Sequence, residues 1–231
     1  MIAIIDYGVG NLFSLKSSLQ AIGENAVVTR DRAEIHRADR IILPGVGAFG
    51  DAADKLRGTG MADAVREEAL AGKPLLGICL GMQLLFDRSY EYGMHAGLGL
   101  VPGEVRPLEG VVPAGLDIPH MGWNALRLIT HTAEADANAA AVPEYTPAGA
   151  PVGRSPLFAD IQDGECVYFV HSYAAFDCDA NLTASAEYGI EVTAAVQNRN
   201  VYGTQFHPEK SGEAGMRILK AFAGISGERV S

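Results

Sequence analysis

The sequence predicts an α/β fold: a single domain on a largely parallel central sheet flanked by helices, with some antiparallel strands in its second half. Three observations lead there. Short runs rich in Ile and Leu recur through the first third of the chain, each closed by a glycine-rich turn. Between them, apolar residues return every three or four positions, as they do on a helix with one buried face. The 231 residues, 48% of them hydrophobic, suffice for one sizeable core and do not demand a second domain.

Ile2 to Ile5 is an apolar, β-branched run that ends in Asp6-Tyr7-Gly8-Val9-Gly10, a buried strand entering a loop. Leu12, Leu15, Leu19 and Ile22 follow at helical spacing, with Asn11 placed to cap the helix and Gly23 to end it. Ile41-Ile42-Leu43 running into Pro44-Gly45-Val46-Gly47 repeats the strand and turn. One helix with Leu56, Met61, Val65 and Leu70 on its apolar positions leads to the strand Pro74-Leu75-Leu76-Gly77-Ile78. Strand, glycine-rich turn, helix and strand in alternation build a parallel sheet, and ligands bind beyond the carboxyl ends of its strands. Strand-like pieces at 166–170, 192–196 and 201–206 and a closing helix over 214–222 complete the chain. From about 132 to 155, Ala, Pro, Gly and Thr dominate without a sustained period, which reads as a flexible surface insert without chemistry.

Composition excludes several classes. With 18 Lys and Arg against 28 Asp and Glu, the formal net charge is -10, the wrong sign for a nucleic-acid binder. Cys79, Cys166 and Cys178 show no Cys-x-x-Cys spacing, so neither a disulfide framework nor a metal site is expected. No signal-peptide pattern opens the chain, and no apolar run nears the roughly 20 residues of a membrane helix. The expectation is a cytoplasmic protein with reduced thiols.

Gly77-Ile78-Cys79-Leu80-Gly81 follows a strand and opens the helical pattern Leu80, Leu84, Leu85. A sharp strand-to-helix turn needs small residues on either side of the exposed side chain, as in a nucleophile elbow. Most free cysteines are small buried hydrophobes. The two glycines and the context favour a nucleophile instead, one whose thiolate the helix N-terminus would support.

A cysteine nucleophile needs a base and a group to orient that base. Of the six histidines, His36, His95, His120, His131, His171 and His207, only His207 has suitable surroundings. It follows the strand-like run from Val201 to Phe206 and precedes Pro208, which biases it toward extended backbone. Residues i and i+2 of an extended segment share a side, so Glu209 can lie beside the imidazole.

Gly77-Ile78-Cys79-Leu80-Gly81-Met82-Gln83 together with Gly203-Thr204-Gln205-Phe206-His207-Pro208-Glu209 resembles the paired signatures of class I, or triad-type, glutamine amidotransferases. Within that class, Asp6-Tyr7-Gly8-Val9-Gly10-Asn11, Pro44-Gly45-Val46-Gly47-Ala48-Phe49, Pro119-His120-Met121-Gly122-Trp123-Asn124 and Tyr168-Phe169-Val170-His171-Ser172-Tyr173 are similar to the glutaminase subunits of imidazole glycerol phosphate synthases of histidine biosynthesis. The resemblance covers nearly the whole chain outside the insert.

The resemblance implies hydrolysis of L-glutamine by Cys79, His207 and Glu209 without a cofactor. Ammonia would pass through a channel to a (β/α)-barrel cyclase partnered as a heterodimer, which makes imidazole glycerol phosphate and aminoimidazole carboxamide ribotide. It implies oxyanion donors at the N–H groups of Leu80 and Val46, and substrate contacts at Gly47, Gln83, Glu91, Ser172 and Tyr173. Cyclase-facing contacts are implied at Asn11, Met121, Trp123, Tyr168 and Lys210. Two other readings compete: a glutaminase feeding another synthase, such as that of pyridoxal phosphate, and a non-catalytic interaction domain. The blocks at Pro44 and Met121 argue against the first, and an intact Cys79, His207 and Glu209 against the second.

Overall fold

The computed structural model describes residues 1–132 and 144–227. In chain order the first half holds β1 (Ile2–Ile5), α1 (Leu12–Ala21), β2 (Ala26–Thr29), α2 (Arg32–Arg37), β3 (Arg40–Leu43), α3 (Phe49–Gly58), α4 (Met61–Leu70), β4 (Leu75–Ile78) and the single turn α5 (Leu80–Gln83). Then come β5 (Arg88–Ser89), β6 (His95–Ala96), β7 (Glu104–Pro107), β8 (His120–Leu128), β9 (Thr130–His131), β10 (Gly153–Arg154), β11 (Cys166–His171), β12 (Tyr173–Phe176), β13 (Leu182–Glu187), β14 (Glu191–Asn198), β15 (Val201–Thr204) and α6 (Gly212–Gly224).

The main sheet has nine strands in the order β11-β8-β13-β14-β15-β4-β3-β1-β2. Five of them, from β15 to β2, are parallel, and the other four are antiparallel, as the alternation in the first half and the strand-rich second half predict. A second sheet, β12-β7-β5-β6, lies beside it.

Helices cover both faces of the parallel part, which is why its strands read as unbroken apolar runs. Successive residues alternate between the two cores. Ile2 and Ile4 pack with Leu15 and Leu19 of α1 and Ile218, Leu219 and Phe222 of α6. Ala3 and Ile5 face Ile35, Leu56, Met61 and Val65 of α2, α3 and α4. Each such large side chain contributes about 1.5–3 kcal/mol by leaving water. Asn11 caps α1 as expected, its Oδ1 accepting from the Ser14 N–H, and Gly23, at φ +83°, follows the helix end.

The structure corrects the sequence reading in four places. The helix expected from Leu56 to Leu70 is two, because Gly60 takes the left-handed φ of +72° and Thr59 Oγ1 donates back to Lys55 and Leu56 carbonyls, closing α3. Leu70 is consequently 61% exposed rather than buried. Neither β2 nor α2 was read from the sequence: β2, Ala26-Val27-Val28-Thr29, is only four residues long, and the six residues of α2 carry one large apolar side chain, Ile35. The helix after Cys79 is one turn, since the chain turns away after Gln83. Of the expected insert, residues 133–143 lie outside the described residues, and its later part is built into the fold. There β10 pairs with β9, Ala150 is buried, and Ser155 Oγ donates to Gln197 Oε1 at 2.6 Å. Among the described residues no helix is long and apolar enough to cross a membrane.

Candidate active site

β4 lies between β3 and β15, so three segments far apart in sequence leave the sheet side by side: Pro44 to Gly47, the Cys79 turn, and Gln205 to His207. The Cys79 N–H donates to the Thr204 carbonyl at 2.7 Å, tying the turn to β15. Cys79 has φ +54° and ψ -113°, a strained backbone for a side-chain-bearing residue that costs about 1–3 kcal/mol and marks a functional turn. The flanking glycines are obligatory by contact. A Cβ on Gly81 would stand 1.9 Å from the Leu43 carbonyl oxygen, and one on Gly77 would stand 2.6 Å from the Gly81 oxygen. Gly45 packs against the same turn, a Cβ there meeting the Gly81 nitrogen and the Tyr7 hydroxyl at 2.8 Å. With α5 only one turn long, little helix dipole reaches the thiol. Leu80 is its first residue, so its N–H lies outside the intrahelical ladder.

His207 Nδ1 lies 2.8 Å from Glu209 Oε1, with both side chains buried. The expected pairing is present, but its geometry differs from the extended one foreseen. The strand ends at Thr204, and Glu209 sits in a 3-10 turn over Pro208–Lys210 that begins after His207. The Tyr168 carbonyl accepts from the His207 N–H at 3.0 Å, and Ser211 Oγ donates to the His207 carbonyl at 2.6 Å, so the backbone of the base is held on both sides. Burial alone would lower the basicity of His207. Hydrogen bonds to Cys79 and Glu209, with their negative charge, outweigh it and raise the imidazole from 6.5 to about 9. The second carboxylate oxygen, Glu209 Oε2, is buried without a hydrogen-bond partner among the described residues.

Cys79 and His207 open into a cavity of about 540 Å³, also lined by Val46, Gly47, Leu80, Gln83, Glu91, Ser172, Tyr173 and Lys210. The fold thus gathers every residue expected at the oxyanion and substrate positions. Gly47 has φ +101°, open only to glycine without strain. Glu91, far from being a helix-surface residue, is buried, and its Oε2 accepts from the Phe49 N–H at the start of α3 at 2.6 Å. Burial raises its carboxyl above the usual range, so a cationic ligand group would be welcome beside it. Gln83 Nε2 donates both to the Tyr173 carbonyl and to Gln205 Oε1, each at 3.0 Å.

Two groups escaped the sequence reading. Gln205, fully buried, directs Nε2 at Cys79 Sγ at 3.7 Å; its spacing of two from His207 was the signal for it. His171 donates from Nδ1 to the Tyr173 carbonyl at 2.8 Å and meets His120 through Nε2 at 3.0 Å. Burial keeps it neutral, pushing it down to about 3.

The residues expected to face a partner form no single cluster. Trp123 and Tyr168 pack edge to face at 6.0 Å, with Lys210 Nζ over the Tyr168 ring at 5.9 Å. Met121 and Trp123 are 59% and 55% exposed, unusual for large apolar side chains. Asn11 lines a small cavity shared with Val46, His207 and Glu209.

The chain is 47% identical over 226 residues to the imidazole glycerol phosphate synthase subunit HisH of Bacillus cereus, covering 97% of this chain and 95% of that one. It is 46% identical over 228 residues to the same subunit of Geobacillus thermodenitrificans, covering 97% and 96%. A crystal structure of a glutamine amidotransferase superposes with a TM-score of 0.68 at 17% identity, over 97% of this chain and all of that one, a likeness of fold. The model of the class-I glutamine amidotransferase family matches residues 3–224, and the chain belongs to that family.

Proposed function

We propose that the chain is the glutaminase subunit of a cytoplasmic imidazole glycerol phosphate synthase, working as a heterodimer with a (β/α)-barrel cyclase. The observation that carries the chemistry is the meeting of Cys79 and His207 at one cavity with Gln83 and Glu91, and with Glu209 behind the base.

In this reading His207 takes the Cys79 thiol proton, becoming the imidazolium, and the sulfur attacks the side-chain amide carbon of L-glutamine. The oxyanion is held by the N–H groups of Leu80 and Val46, each worth about 3–4 kcal/mol of transition-state stabilisation when aligned. Collapse breaks the C–N bond, and the His207 imidazolium gives its proton to the departing nitrogen, releasing ammonia and leaving a glutamyl thioester. His207, now neutral, takes a proton from water, whose oxygen attacks the thioester; glutamate leaves and the cysteine is restored. Glu209 holds the ring and its charge throughout. The main chain of Gly47, Ser172 and Tyr173 borders the glutamine, and Glu91 and Gln83 receive its α-ammonium group. Asn11, Met121, Trp123, Tyr168 and Lys210 meet the cyclase, which takes up the ammonia to make imidazole glycerol phosphate and aminoimidazole carboxamide ribotide.

The test mixes the purified chain with a cyclase subunit, the cyclase nucleotide substrate and glutamine, and follows glutamate release. Low activity alone and strong stimulation in the complex are expected. Stimulated release that survives Cys79→Ala would sink the mechanism, and no stimulation by any such cyclase would assign the ammonia to a different synthase.

A further inference from the structure

Two buried side-chain amides join the nucleophile to the wall of the substrate cavity. An amide has one donor end and one acceptor end, so a chain of amides has a direction. Here the direction is set at Tyr173, whose carbonyl can only accept; Gln83 must therefore turn Nε2 toward it. The same Nε2 donates its other hydrogen to Gln205 Oε1. The far end of Gln205 is then Nε2, 3.7 Å from Cys79 Sγ. Turning Gln83 over would set acceptors against each other in a buried site, and turning Gln205 over would set two donors against each other. Gln205 thus meets the sulfur as a donor, the arrangement that suits a thiolate. Both Nε2 hydrogens of Gln83 are committed, so what Gln83 can offer a ligand in the cavity it lines is Oε1, an acceptor.

We propose that Gln205 belongs to the catalytic centre, where its amide donates to the Cys79 sulfur and its Oε1, together with the Tyr173 carbonyl, holds Gln83 as an acceptor that selects ligands carrying an ammonium group. The part concerning the sulfur stands on the geometry alone. The part concerning selection rests on the glutaminase reading, in which Gln83 Oε1 and the Glu91 carboxylate converge on the α-ammonium of glutamine.

The experiment uses the full chain as wild type, Gln205→Leu and the isosteric Gln205→Glu, each checked for native circular dichroism. Alkylation of Cys79 by iodoacetamide at neutral pH, resolved from Cys166 by peptide mass spectrometry, is expected to slow about tenfold in both variants, because each loses the hydrogen-bond donor at the reacting sulfur. In complex with the cyclase, the preference in kcat/KM for L-glutamine over glutaramate, which lacks the α-amino group, is expected to fall about tenfold in Gln205→Leu. Folded variants that alkylate at the wild-type rate overturn the role at the sulfur, and an unchanged preference overturns the role in selection. A wild-type complex that releases no glutamate refutes the glutaminase reading instead, and the alkylation rates still judge Gln205. Should Gln205→Leu not fold, Gln205→Met, which likewise removes the acceptor for Gln83 Nε2, supplies the preference, and Gln205→Glu supplies the alkylation rate.

Discussion

His207 Nδ1 and Glu209 Oε1 stand 2.8 Å apart across a turn of 3-10 helix, and Glu209 does not line the cavity into which His207 opens. The carboxylate therefore acts on substrate only through the ring. Glu209→Gln keeps the side-chain shape and removes the charge that favours the imidazolium. The expected outcome in the complex is a kcat lower by about two orders of magnitude or more, with KM for glutamine little changed. Steady-state glutamate release checks it.

The two buried histidines should tilt stability in opposite senses with pH. His207 is raised from 6.5 to about 9, so its contribution is complete below about 6.5 and is lost as the pH rises through about 9. His171 is depressed from 6.5 to about 3; its contribution is complete above about 6.5 and is lost as the pH falls toward 3. Urea unfolding at a series of pH values is expected to show both limbs. His171→Gln should flatten the acidic one and leave the alkaline one in place.

Gly81→Ala should be far costlier than a helix alanine normally is, because its Cβ would fall 1.9 Å from the Leu43 carbonyl oxygen and backbone must move. A loss of about 3 kcal/mol or more, with alkylation of Cys79 disturbed, is expected. Gly58→Ala is the control: nothing lies within 4 Å of the added carbon at the end of α3. It should be neutral or stabilising by up to about 1 kcal/mol in the same denaturation series.

If Trp123 is an anchor for the cyclase, Trp123→Ala should weaken the complex by about 2 kcal/mol or more, a factor of about 30 in Kd, without lowering the stability of the isolated chain much. Its 55% exposure in the free chain is the reason for the second half of that expectation. Calorimetric titration and thermal unfolding measure the two. Trp123 is also the only tryptophan, so its fluorescence should change when the wild-type chain binds.

Much of the architecture was legible in the residues. β1, β3 and β4 announce themselves because burial on two faces makes them nearly unbroken apolar runs, Arg40 at the start of β3 being the one charged position. The Cys79 turn was legible for a steric reason, since Gly77 and Gly81 are needed wherever backbone passes so close. The break at Gly60 was present in sequence and misjudged, because a glycine in an apolar helical pattern becomes a stop only when it adopts the left-handed conformation. The partnership of His207 and Glu209 was expected from an extended segment; His207 is extended, at φ -98° and ψ 99°, but the chain then folds into a 3-10 turn begun by Pro208, and the pairing arises through that turn.

Local pattern, then, was enough for the sheet-forming runs and the glycine-walled turn, because each follows from sterics or burial among near neighbours. It could not supply the hydrogen-bonded path from Cys79 through Gln205 and Gln83 to Tyr173, whose links span 126, 122 and 90 residues. Such links exist only once β4 lies between β3 and β15 and the chain ends of three strands meet. The direction of each amide is then decided by which neighbour can only accept a hydrogen bond, a property of the folded arrangement.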